Sequence, residues 1–211
     1  MGKPVVYGAD YSVYVRIVRL ALEEKGIAYD LVPVDIFTEG GAPAWYGKHH
    51  PFGRIPAFEH DNFRLFEASA IARYVDEAFD GPALQPADTR GRARMNQIIG
   101  MLDAYAYRAM VWDVAVERLE KEVPDESLIV DGLRQAETVL KALTSLKQDG
   151  PWLLGDQLTL ADLHAAPIIG YFVKVPEGRG LLAQFAGIWD LYLRMAGRPS
   201  FLRTEKAYNS R

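Results

Sequence analysis

The sequence contains no cysteine among its 211 residues. That excludes disulfides, thiolate metal sites and any redox chemistry run on the chain's own sulfur. Long apolar runs are also missing: none approaches the roughly 18–20 residues needed to cross a bilayer. The opening MGKPVVYG is too short and interrupted for a signal peptide, so a cytoplasmic protein with no membrane partner is expected. Positive charge is not in excess, since 24 Lys and Arg stand against 28 Asp and Glu, a net of −4. A surface of that balance is not built to hold nucleic acid. No glycine-rich phosphate loop is present. His49, His50, His60 and His164 show no shared ligand spacing, so no metal site is expected.

What is present is an ordinary globular mixture, 49 % apolar and 25 % charged, long enough for one large domain or two modest ones. Residues 4–8 (PVVYG) read as a buried strand. A helix over about 14–25 follows, with Val15, Val18 and Leu22 on its apolar face and Gly26 just past its end. Residues 28–35 alternate as a second strand carrying Pro33. Residues 56–60 and 63–67 form a hairpin around Asp61-Asn62, and a helix covers about 68–79. The stretch 81–88 is rich in breakers and separates a unit at 1–80 from one at 89–211. Beyond it nothing reads as a strand. Helices are expected at 89–120, 126–147, 160–173, 179–196 and 199–206, with Met95, Ile98, Ile99, Leu102, Tyr105 and Ala106 on the apolar face of the first. Thr159 and Asp162 have the spacing of a capping box. The fold class is therefore α/β plus all-α, in that order.

Three places carry candidate chemistry. Ser12 lies between the first strand and the first helix, where a serine caps the helix. The same hydroxyl can donate to an anion at that helix end, and a bound thiol would thereby lose its proton more easily. Arg16, one turn on, would help in the same sense. In HPFGRIPAF (His50–Phe58), Pro56 either starts a strand in the ordinary trans form or, as a cis proline, turns the Ile55 N–H and C=O outward for a bound peptide. At LFEASAI, Glu67, Ala68 and Ser69 sit at a strand-to-helix junction that serves either as a cap or as a holder for a carboxylate and an ammonium group.

The strand leading to SVYVR, the loop HPFGRIPAF, the turn LFEASAI and LTLADLHAAP together resemble a cytosolic glutathione S-transferase, most nearly the serine-using phi and theta-like bacterial type. The resemblance spans nearly the whole chain. It implies an N-terminal thioredoxin-like domain followed by a C-terminal α-helical bundle domain. It implies glutathione as co-substrate, a cis Pro56, and a site of Arg54, Ile55, Pro56, Glu67, Ala68 and Ser69 holding it, with Ser12 at the sulfur. Tyr7, near the end of the first strand, is the second candidate for the sulfur, and core packing is its alternative role. Walls for an electrophilic small molecule would come from Tyr11, Met101, Tyr107, Met110 and Trp112, residues that can equally be core. Phe52 matches an aromatic that enters a partner subunit in many relatives, which implies a homodimer. The chain departs from the family at Gly41, Ala42 and Ala68, where polar contacts to the tripeptide are usual, and Arg54 stands where glutamine or lysine is common. Two other readings stay open: a glutathione-dependent isomerase, dehalogenase or ether-cleaving enzyme, and a non-catalytic binding module of the same fold.

Overall fold

The computed structural model describes residues 2–205; the last expected helical residue, 206, and the stretch beyond it lie outside them. Two compact units result. One takes residues 2–83 together with 199–205, and the other takes 84–198.

The first unit is built on a four-stranded sheet. β1 (Val5–Gly8) lies between β2 (Asp30–Pro33), which runs parallel to it, and β3 (Ala57–His60), which runs antiparallel; β4 (Phe63–Phe66) completes the order β2-β1-β3-β4. This is the thioredoxin-like arrangement implied by the resemblance. The β3–β4 hairpin turns at Asp61 and Asn62, both at positive φ (49° and 66°), as a two-residue turn between twisted strands requires. α1 (Val13–Glu24) buries Val15, Ile17, Val18 and Leu22 and packs on α2 (Ala68–Ala78). α1 ends as expected at Gly26 (φ 70°): the Ile27 amide donates to Leu22 O and the Gly26 amide to Glu23 O, the paired bonds of a glycine-terminated helix. Lys25 and Asp76, both almost without exposed side chain, form an ion pair at 3.2 Å between the ends of the two helices.

The second unit is helical. α3 (Thr89–Met101) is capped by Asp88, whose carboxylate accepts from the Gly91 amide at 2.9 Å. The single helix expected over 89–120 changes its winding: Leu102–Val116 adopts π-type turns before the α-helical end α4 (Glu117–Glu120). Leu102, Ala106, Met110 and Val114, at four-residue spacing, are buried there, whereas Tyr105, expected on the apolar face, is 63 % exposed. The wider turn also brings Arg108 and Asp113, five residues apart, within 2.6 Å. α5 (Glu126–Leu146) lies on this segment so closely that a Cβ at Gly132 would stand 2.9 Å from Val114 and 3.0 Å from Asp113.

α6 (Leu160–Phe172) is apolar apart from Asp162 and His164 and buried at every position but Tyr171, as a central helix must be. Its start is the expected capping box: Asp162 accepts from the Thr159 amide and hydroxyl and also from the Leu153 amide. The helix expected at 179–196 is two, α7 (Pro176–Leu182) and α8 (Ala186–Ala196), because the chain turns at residues 183–185. α9 (Pro199–Thr204), counted in the sequence with the helical unit, packs on α1 in the first.

Candidate functional site

The candidate residues near the ends of β1, β3 and β4 all belong to the first unit. β1 ends at Gly8, where a Cβ would stand 2.4 Å from Val15 of α1, so this strand position faces α1. The chain then turns through residues 9–11, and Ser12 becomes the N-cap of α1. Its Oγ accepts from the Val15 amide at 3.4 Å, a long bond, and its own O–H has no acceptor among the described residues. The half-buried hydroxyl thus keeps its donor at a helix N-terminus.

Tyr7, by strand alternation, points away from the Gly8 face. Its ring lies 4.1 Å from His49 and within 6.4 Å of Trp45 and Tyr46. Burial raises the pKa of its phenol and lowers that of the His49 imidazole, so both are neutral near pH 7. The structure gives Tyr7 a place in an aromatic cluster on the other side of the strand from α1. Arg16 turns its guanidinium to α9, donating to Phe201 O at 2.9 Å and lying 3.7 Å over the Phe201 ring.

The Ile55–Pro56 peptide bond is cis. Ile55 and Pro56 are buried, Ala57 enters the sheet between Tyr7 and Phe66, and the Tyr46 hydroxyl donates to Arg54 O at 2.8 Å. The Ile55 amide and carbonyl have no hydrogen-bond partner among the described residues, and the exposed Arg54 guanidinium has no ion pair there. At the end of β4, Glu67 takes φ 73° and ψ 113°, a conformation rare for a residue with a side chain. It caps α2 without using its carboxylate. The first-turn amides of Ala68, Ser69 and Ala70 have no acceptor among the described residues, which leaves a helix N-terminus open to an anion. Ala68 is buried and Ser69 half-buried.

The wall residues diverge. Tyr11 donates to Asp35 at 2.7 Å and lies 5.8 Å from the Phe37 ring; burial, first, and that carboxylate push its phenol well above the usual range. Asp35 also accepts from the Phe37 amide at 2.9 Å, so it ties the turn before Ser12 to the loop after β2. Sequence reading missed Asp35, which it took as the last residue of the strand at 28–35, because its partner Tyr11 lies 24 positions away. In the helical unit Met101, Tyr107 and Trp112 keep part of their surface, but Met110 has none exposed and presents nothing to a ligand. Phe52 is 71 % exposed, with Phe66 and His50 as its ring neighbours.

Comparison with known proteins decides what this frame is. Residues 6–83 match the model of the glutathione S-transferase N-terminal domain, and residues 89–194 match that of the C-terminal domain. The chain belongs to the glutathione S-transferase family. It is 28 % identical to glutathione S-transferase F13 of Arabidopsis thaliana over 204 residues, 94 % of this chain and 93 % of that one. Glutathione S-transferase 3 of Zea mays is 28 % identical over 207 residues, covering 96 % and 93 %. Among solved structures, poplar glutathione transferase F1 superposes with a TM-score of 0.84 at 26 % identity, covering 97 % of each chain. All the candidate glutathione residues fall in the first of these two family domains.

Proposed function

We propose that this family member is a serine-type glutathione transferase, acting as a cytoplasmic homodimer on electrophilic small molecules. Glutathione lies along the cis Pro56 turn, and its cysteinyl amide and carbonyl pair with the free Ile55 groups as an added strand would. Its γ-glutamyl carboxylate takes the open amides at the start of α2 and the Ser69 hydroxyl. Glu67, held beside them at positive φ, faces the ammonium group. Arg54 supplies a cation for the glycine carboxylate, in place of the polar contacts that Gly41 and Ala42 do not offer.

The observation that carries the reading is the unspent O–H of Ser12 at the N-terminus of α1. Donated to the sulfur, it stabilises the thiolate relative to the thiol, and the proton leaves to solvent. The thiolate then forms a bond to an electrophilic carbon while that carbon's bond to its leaving group breaks. The protein's contribution is a larger share of the nucleophilic form and the alignment of two reactants. Phe52, exposed on the first unit, supplies a contact for the partner protomer. Calorimetry with glutathione and turnover with an aryl halide test the reading together. Binding with turnover supports it, binding without turnover favours a dedicated catabolic reaction, and absence of binding at millimolar glutathione leaves a non-catalytic module.

A further inference from the structure

Ser12 is the N-cap of α1, and its own capping bond is long, so the hydroxyl is placed by whatever holds the helix. The far end of α1 is tied to α2 by the buried Lys25–Asp76 pair. Near its start the tie is Arg16, whose amide donates to Ser12 O at 3.0 Å and whose side chain is committed to α9. The guanidinium stacks on the buried Phe201 ring, donates to Phe201 O at 2.9 Å and reaches the Thr204 hydroxyl at 3.4 Å. One turn on, Arg19 donates at 3.4 Å to the carbonyls of Arg203 and Thr204. The last carbonyls of a helix have no partner inside it, and here two arginines of α1 supply them. Glu23 pairs with Arg203 at 2.6 Å, and the Ser200 hydroxyl bonds Glu24. Two arginines and two glutamates of α1 therefore face one short helix.

We propose that α9 is a latch on the helix that carries Ser12, and that Arg16 is a positioning residue acting through Phe201 rather than a charge acting directly on the sulfur. The inference rests on the reading of Ser12 as the sulfur's partner. A planar guanidinium is suited to this position because it stacks and donates at once, which an ammonium does not. Arg16→Lys keeps the charge and loses the stacked fork. Phe201→Ala keeps every charge and loses only the ring beneath it.

The test is the ultraviolet thiolate absorbance of glutathione bound to the full chain, titrated against pH for the wild type, Ser12→Ala, Arg16→Gln, Arg16→Lys, Phe201→Ala and the Arg16→Gln/Phe201→Ala double variant. Phe201→Ala and both Arg16 variants are expected to lower the thiolate share at neutral pH by about three- to tenfold, part of a charge-assisted hydrogen bond. The double variant is expected to do no more than Arg16→Gln, because losing the guanidinium already removes the stacking that Phe201→Ala removes, together with the bonds to Phe201 O and Thr204. A silent Phe201→Ala beside an impaired Arg16→Gln overturns the latch and makes Arg16 a direct electrostatic group. Loss of thermal stability with an unchanged thiolate share overturns it as well. If Phe201→Ala does not fold, Phe201→Leu retains the bulk and loses the aromatic face, with the same expectations. An unchanged thiolate share in Ser12→Ala overturns the Ser12 reading and the latch with it, whereas an impaired Ser12→Ala with silent α9 variants overturns the latch alone.

Discussion

Replacing Asp162 by alanine removes the group that starts the buried helix α6. The carboxylate accepts from the Leu153 amide at 2.8 Å, the Thr159 amide at 2.8 Å and the Thr159 hydroxyl at 2.9 Å, and none of its surface is exposed. Two buried amides are stranded when it goes, at about 1–3 kcal/mol each, or about 2–6 kcal/mol together. A second effect opposes the first. Burial outweighs the three donors and pushes the Asp162 carboxyl up from 3.8 to about 6. Holding it ionised at neutral pH therefore costs about 3 kcal/mol, which alanine relieves. The folded state binds this proton more tightly than the unfolded state, so the wild type gains stability as pH falls through about 6, and the gain is complete below the ordinary value of 3.8. Asp162→Ala has no such gain. Urea unfolding at fixed protomer concentration should show the substitution costing about 1–1.5 kcal/mol more near pH 5 than near pH 7.5. A cost that shrinks on acidification would refute the reasoning, because it would mean that the amides, not burial, set the proton affinity.

Other outcomes follow from the same structure. Lys25→Met should destabilise by about 3–5 kcal/mol in chemical unfolding, since it removes one member of a buried ion pair together with the ammonium's bond to Asp76 O. At Gly178 an added Cβ would sit 2.0 Å from the Phe172 carbonyl, a backbone atom, so Gly178→Ala should lower the thermal midpoint sharply or prevent folding; a midpoint within a degree or two of wild type contradicts the close approach. Glu67→Ala should weaken glutathione binding in calorimetry by about tenfold or more, the loss of one charge-assisted contact, and equal affinity would remove Glu67 from the site. Arg54→Ala should weaken glutathione more than it weakens glutathione amidated at its glycine end, and equal losses would separate Arg54 from that carboxylate.

Much of the fold could be read because its signals are local. Gly26 marks a helix end through a backbone conformation that its neighbours reject, and Asp61-Asn62 occupies a turn demanding two positive φ values. Thr159 and Asp162 satisfy each other's backbone across three residues. The π-type turns at Leu102–Val116 had no such signal. Apolar residues four apart fit an α-helix as well, and the exposure of Tyr105 shows where the two windings part. Ser12 and Glu67 were legible as junction residues, but that the Ser12 hydroxyl and the α2 amides find no acceptor among the described residues is a property of three-dimensional packing. Arg16 illustrates the limit most clearly. Four residues after Ser12 it read as an electrostatic helper, whereas its guanidinium reaches a segment 185 positions further along the chain. Such a pairing has no local trace. Asp35 was missed for the same reason, its partner Tyr11 being 24 positions away.

The central claim is that the Ser12 hydroxyl stabilises the thiolate of bound glutathione. Ultraviolet titration of the glutathione complex, wild type against Ser12→Ala, addresses it without any choice of electrophile. The thiol of the variant complex should titrate about one to two pH units higher, one charge-assisted hydrogen bond lost, with glutathione still bound. Superimposable titration curves for the two proteins would contradict it.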